Sequence, residues 1–162
     1  MTLEEFNAMP DVRAADVFRA CCGSSRWVSG MVSRRPFTSM DTIIAASDDE
    51  WQATGEPDWR EAFAHHPRIG DRRATGWAGG EQARALSAEE SVQDQLAAAN
   101  QEYEDHFGHI YIVCASGRTA EEMLAEARER MKNNPETELR IAAAEQHKIT
   151  QLRLRKLLGE DR

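Results

Sequence analysis

Ala88-Glu-Glu-Ser-Val92-Gln-Asp-Gln-Leu96-Ala-Ala-Ala99-Asn-Gln-Glu-Tyr103-Glu-Asp-His-Phe107-Gly108 is the stretch that sets the fold class. Val92, Leu96, Ala99, Tyr103 and Phe107 recur every three or four residues, so a helix gathers them into one apolar stripe that needs a core to face. Gly108 is the residue type that ends a helix in the left-handed region. Downstream, Ile110 to Ala115 is β-branched and aromatic and is followed by a Ser116-Gly117 turn signal; it reads as a short strand or a buried extended segment. One isolated strand makes no sheet. Thr119 with Glu122 forms a capping box that opens a helix to about Lys132, Asn133-Asn-Pro135 breaks it, and a last helix covers about Glu136 to Leu158.

Upstream, Thr2 and Glu5 form another capping box for a short first helix ended by Pro10. Asp11 is read as the cap of a second helix carrying Val12, Ala15 and Val17-Phe18 inward, with Gly23 as its terminator. Ser24 or Ser25 opens a third, containing Trp27, Val28, Met31 and Val32, which Pro36 stops. Two further pieces are expected, from Ser39 to Ala46 and from Asp48 to Thr54, with Asp48 as a cap. Another helix begins near Pro57 and carries Trp59, Ala62 and Phe63. From His66 to Gly80 the glycines and arginines read as a loop. The expected architecture is an all-α, single-domain multi-helix bundle over residues 1–162 with one short extended segment near 110–115.

The chain has 162 residues, enough for one domain, and its balance of 41% hydrophobic and 30% charged residues is that of a globular protein. The Ile110–Ala115 run is far shorter than the ~20 apolar residues a bilayer-spanning helix needs. No basic and apolar leader opens the sequence and no Ser-Lys-Leu closes it, so a cytoplasmic protein is expected. Cys21, Cys22 and Cys114 lack CxxC spacing and read as reduced packing residues. A formal charge of −8 opposes attraction to a phosphate backbone, so nucleic acid is not an expected partner. A symmetric contact with a second copy is expected from exposed apolar residues of Trp27–Met31 or of the first helix.

Three side chains stand out chemically. Pro67 biases His66 out of the helical region, which leaves the imidazole at a helix exit, either to transfer protons near neutral pH or to cap the last carbonyls. Glu81 follows the glycine-rich Gly76–Gly80 and is either a carboxylate that returns to orient the imidazole or an exposed acid at a helix start. Arg153 shares a helical face with Ile149 and Leu157, so it needs an anion, from a substrate or from a structural Asp or Glu, unless its head reaches water. His106, His109 and Glu102 offer ligand types at close spacing, but Gly108 interrupts the helix between the histidines and no metal motif accompanies them, so they are read as solvent-facing and no metal is expected. Nucleotide motifs and a cofactor-type lysine are absent, and any chemistry is expected to need no cofactor.

His66-Pro-Arg-Ile-Gly70, Glu81-Gln82, Asn100-Gln-Glu-Tyr103 with Phe107-Gly108, and Leu152-Arg153-Leu154 together resemble the 2-oxo-4-hydroxy-4-carboxy-5-ureidoimidazoline (OHCU) decarboxylases of urate degradation. The resemblance extends to Gly117-Arg-Thr119 and Asn133-Asn-Pro-Glu-Thr-Glu-Leu-Arg140 and so covers nearly the whole chain. It implies an all-helical, usually dimeric lyase that releases CO2 from OHCU without a cofactor and leaves (S)-allantoin. Carried over residue by residue, it makes His66 and Glu81 catalytic, Pro67 and Arg153 substrate-binding, and the main chain at Tyr111, Val113 and Ala115 the holder of the ureido and ring polar groups. One position departs: Ala78 stands where the family commonly has a substrate-contacting serine three residues before the glutamate. Pairing Ser87 with Glu90 restores that spacing, but Gln82, Ala83 and Trp77 favour Glu81.

Overall fold

A computed structural model describes residues 1–68 and 90–159 and is helical throughout its regular structure. In chain order the helices are α1 Leu3–Ala8, α2 Asp11–Cys21, α3 Ser25–Ser33, α4 Met40–Gln52, α5 Glu56–Ala64, α6 Glu90–Phe107, α7 Ala120–Arg130 and α8 Pro135–Leu157. The chain divides into two compact units, 1–65 with 146–162, and 66–145. The long helix α8 contributes residues to both.

In the first unit, α3 packs against α2, α4 and α5. Phe18 sits edge-on to both Phe6 and Trp27, with ring centroids 5.1 and 5.6 Å apart, and Phe37 stacks on Phe6. Met31, Ile43, Phe63 and Leu154 complete this core. Trp27 and Met31 are therefore interior residues, not an exposed patch for a second copy. Among the described residues the large hydrophobics that are exposed are Met1 and Val12. The expected inward position of Val12 is also corrected, because α2 turns Ala14, Phe18 and Cys21 to the core, spacings of four and three. Pro10 is the cap of α2, and Asp11 opens its first turn, where a carboxylate suits the helix dipole.

The two pieces expected around Ser47-Asp48 are one helix, α4. Ser47 is fully buried and its hydroxyl accepts from the Trp27 indole N–H at 3.2 Å, so a residue that favours a break is held inside the helix by a tertiary bond. Asp48 is consequently no cap. It bonds Gln52 and lies 3.2 Å from His147 Nε2 on α8.

Burial lowers the His147 pKa, partly opposed by Asp48. A group depressed on folding contributes full stability above its unfolded value of about 6.5 and loses it as pH falls through the folded value. Unfolding free energy should therefore drop as pH falls below the unfolded value of about 6.5, and His147→Gln should flatten that slope. Urea titrations at several pH values measure it; an unchanged slope in the variant removes His147 as the cause.

Gly23 does not end α2 by a left-handed turn, because the cap Cys22 is extended and, among the described residues, the glycines with positive φ are 108, 117 and 159. Its reason is space. A Cβ at Gly23 would lie 2.3 Å from Cγ of His65. Gly23→Ala should cost about 1–3 kcal/mol by overpacking, read as a lower urea midpoint with an unchanged slope.

The second unit is built on α6 and α7, which pack together. Leu96, Tyr103 and Phe107 of the α6 stripe meet Met123, Leu124 and Ala127 of α7, with Val92 and Ala99 half-buried at the margin. Gly108 ends α6 at φ +81°, its N–H donating to the Glu104 carbonyl at 2.8 Å. The run 110–115 is neither helical nor paired as a strand, and Tyr111, Val113 and Ala115 are part of this core. Asn134 opens α8 by accepting from the Thr137 N–H at 2.8 Å.

Candidate active site

Helix α5 ends at Ala64 with His65 as its cap, the His65 N–H donating to the carbonyls of Ala62 and Phe63. His66 follows immediately and is half-buried, as is Pro67. The capping place is thus taken by His65. After the proline, Arg68 meets Glu104 of α6 through two parallel bonds, Nε to Oε2 at 2.8 Å and Nη2 to Oε1 at 2.9 Å. A fork of this kind fixes direction as well as distance, so the His66-Pro67 step is anchored two residues downstream.

The run 110–115 lies in the same unit as His66. Arg130 donates to the Ile112 carbonyl at 2.8 Å, and Glu145 accepts from the Cys114 N–H at 3.1 Å. An extended chain sends the main-chain groups of successive residues to opposite sides, so these two bonds, at residues 112 and 114, belong to one side. On the other side are Tyr111, Val113 and Ala115. Among the described residues, the N–H and C=O of Tyr111 and Val113 and the N–H of Ala115 have no protein partner, although all three residues are buried. Buried main-chain groups are rarely left unpaired. This side therefore carries main-chain donors and acceptors without a partner among the described residues.

Arg130 itself is buried. Its guanidinium reaches both carboxylate oxygens of Glu138, at 2.6 and 2.9 Å, and lies 4.8 Å from the Tyr111 ring centroid. Burial works against its charge, but the Glu138 bonds and the neighbouring Tyr103 and Glu138 carry the pKa upward overall, so the cation persists. Burial likewise pushes the Tyr103 and Tyr111 phenols well above their usual range and keeps them neutral.

Arg153 belongs to the first unit. It is 8% exposed, on the packed side of α8 with Ile149, while Leu157 is half-buried. Its Nη1 donates to the Ala20 carbonyl at 3.3 Å. Burial pushes the nearby Cys22 thiol up to about 11 even though Arg153 pulls the other way, so this cysteine is a neutral packing group. None of the three cysteines is in a disulfide, and all are buried.

A family model described as OHCU decarboxylase matches residues 7–155. The chain belongs to the OHCU decarboxylase family. A crystal structure of an OHCU decarboxylase in the presence of (S)-allantoin is 40% identical, with a TM-score of 0.80 over 89% of this chain and 98% of that one. The uric acid degradation bifunctional protein TTL of Arabidopsis thaliana is also 40% identical, over 90% of this chain. An OHCU decarboxylase of Haloferax volcanii is 27% identical over 95% of this chain and 94% of its own. The chain spans 47% of the length of the Arabidopsis relative.

For this OHCU decarboxylase family member, Glu81, Ala78 and Ser87 fall outside the described residues, and Glu90 opens α6. His106 is exposed against the edge of Phe107, whereas His109 is buried with its Nδ1 3.0 Å from the Ile110 carbonyl, which corrects the expectation of two solvent-facing histidines. Among the described residues no group of three potential metal ligands lies together, and no helix is long and apolar enough to cross a membrane.

Arg130, Glu138 and Glu145 were not singled out from the sequence. A signal for them exists: Met123, Ala127 and Arg130 follow an i, i+4, i+7 stripe, and so do Glu138, Ala142 and Glu145. A charge recurring at stripe positions marks a buried, compensated group.

Proposed function

We propose that this chain decarboxylates OHCU to (S)-allantoin and CO2 in urate degradation, with residues 1–162 acting as one domain of a cytoplasmic homodimer. The observation that carries the reading is family membership over residues 7–155, a span that contains every candidate site residue.

The chemistry asks little of a cofactor. The carboxylate of OHCU is on a ring carbon beside a C=N bond, so when the bond to CO2 breaks its electron pair moves into that bond. The nitrogen takes a proton, the hydroxyl-bearing carbon becomes a carbonyl as its O–H proton leaves, and the ureido-bearing carbon takes a proton on one face. The protein must orient the carboxylate, limit water and choose the face. In this reading Arg153 and Pro67 hold the substrate, Arg153 by a charge-assisted contact with an anionic group. His66 and Glu81 move the hydroxyl proton and the final carbon-bound proton. The unpartnered main-chain side of Tyr111, Val113 and Ala115 supports a role in binding the ureido and ring amide groups, since both offer donors and acceptors in a row.

The test is to supply freshly generated OHCU and follow circular dichroism and CO2. Release of CO2 with an excess of (S)-allantoin is the expected result. Racemic product at the uncatalysed rate, or ring opening with ammonia release, sinks the proposal.

A further inference from the structure

We propose that Glu145 is a positioning residue for substrate binding, setting the register of the run 111–115 from the side opposite the ligand. The proposal rests on the decarboxylase reading above and extends it to a residue that touches neither substrate nor reacting atoms.

The run has no strand neighbour to fix it. A chain segment without a ladder keeps its register through its own buried side chains and through side chains that grip its main chain. Glu145 does this at Cys114, the residue between Val113 and Ala115, by accepting from its N–H at 3.1 Å. Sliding the run would break that bond, at the cost of one hydrogen bond to a charged group. Arg130 grips Ile112 in the same sense, two residues earlier and on the same side.

Glu145 is also arranged so that its charge does no harm. It is 4% exposed and sits beside a main chain proposed to receive an anion. A lone buried carboxylate there would repel that anion strongly. Arg118 lies 3.2 Å from Glu145 Oε1 and is itself paired with Glu126. The Arg118 N–H bonds the Ala115 carbonyl at 3.1 Å, which closes the turn that ends the run. One residue therefore balances Glu145 and fixes the end of the segment Glu145 holds. The quoted Gly117-Arg-Thr119 stretch gains a reason from this arrangement.

Three variants test the idea in the full chain with OHCU as substrate. Glu145→Gln keeps an acceptor for the Cys114 N–H, Glu145→Met keeps the volume but removes the acceptor, and Arg118→Gln removes the guanidinium that lies 3.2 Å from Glu145. Glu145→Met should raise KM about 10- to 100-fold, the scale of one charge-assisted hydrogen bond, and lower the enantiomeric excess of the allantoin formed. Glu145→Gln should stay within about threefold of the parent in KM. Arg118→Gln should raise KM with kcat unchanged, the rise shrinking as salt is added. Rates are taken per folded molecule from far-UV circular dichroism. Equal KM and enantiomeric excess in Glu145→Met and the parent overturns the proposal, and so does an equal loss in the glutamine and methionine variants. Should Glu145→Met not fold, a KM for Arg118→Gln that is unchanged at low salt overturns it. An inactive parent sinks the decarboxylase reading and this one together, whereas an active parent with an indifferent Glu145→Met sinks only this one.

Discussion

His66→Ala is expected to lower kcat about 10²- to 10⁴-fold, the usual contribution of a placed general acid or base. The ring is half-buried, and the nearby anchors do not depend on it: His65 caps α5 through its own N–H, and Arg68 is held by Glu104. The variant should therefore keep the parent's far-UV spectrum. His66→Gln should be as slow, because an amide can hydrogen-bond but cannot carry a proton at neutral pH. The stereochemical readout is sharper than the rate. If the imidazole delivers the carbon-bound proton, the enantiomeric excess should fall along with kcat; if Glu81 delivers it, kcat should fall with the handedness kept. A loss confined to KM would make His66 a binding group. Parent-like turnover and handedness would remove it from the mechanism.

What the sequence made legible, and what it hid, follows from where the physics is local. The capping boxes of Thr2 with Glu5 and Thr119 with Glu122 are found as read, because each closes within three residues. The α6 stripe and its Gly108 stop are found as read for the same reason. The break expected before Asp48 fails because Trp27, twenty positions away, satisfies the Ser47 hydroxyl. Val12 fails because a short helix has several plausible faces, and only the aromatic cluster of Phe6, Phe18 and Trp27 chooses one.

The same division runs through the candidate site. His66 stands out because the proline beside it constrains its backbone, and Arg153 because a charge interrupts an apolar stripe. Tyr111, Val113 and Ala115 are different. They are proposed to act through main-chain groups, whose chemistry is identical in every residue, so no side-chain pattern marks them and only resemblance points to them. The residues that grip the other side of that run are hidden for a complementary reason. Arg130 and Glu138 look like surface charges until the fold pairs them across the α7–α8 break.

That pair carries the second large effect. Glu138→Ala should destabilise the protein by about 3–5 kcal/mol, because it strands a buried guanidinium. Glu138 is fully buried and Arg130 is 4% exposed, so water cannot readily replace the lost carboxylate. The double variant Arg130→Met, Glu138→Leu removes both charges and fills the space with apolar groups. On desolvation alone it should recover most of the loss. It also leaves the Ile112 carbonyl without its guanidinium donor, which costs about 1–3 kcal/mol. The expected order of urea midpoints is therefore parent, then the double variant, then Glu138→Ala. The order separates two accounts of the pair. If its worth were the attraction between the charges, removing both would be as damaging as removing one. If the pair persists because it delivers a donor to Ile112, the double variant should lose only the cost of that one bond, about 1–3 kcal/mol, and yet bind substrate poorly, since the run 111–115 loses one of its two grips. A double variant as unstable as Glu138→Ala would show that the charges themselves hold this core.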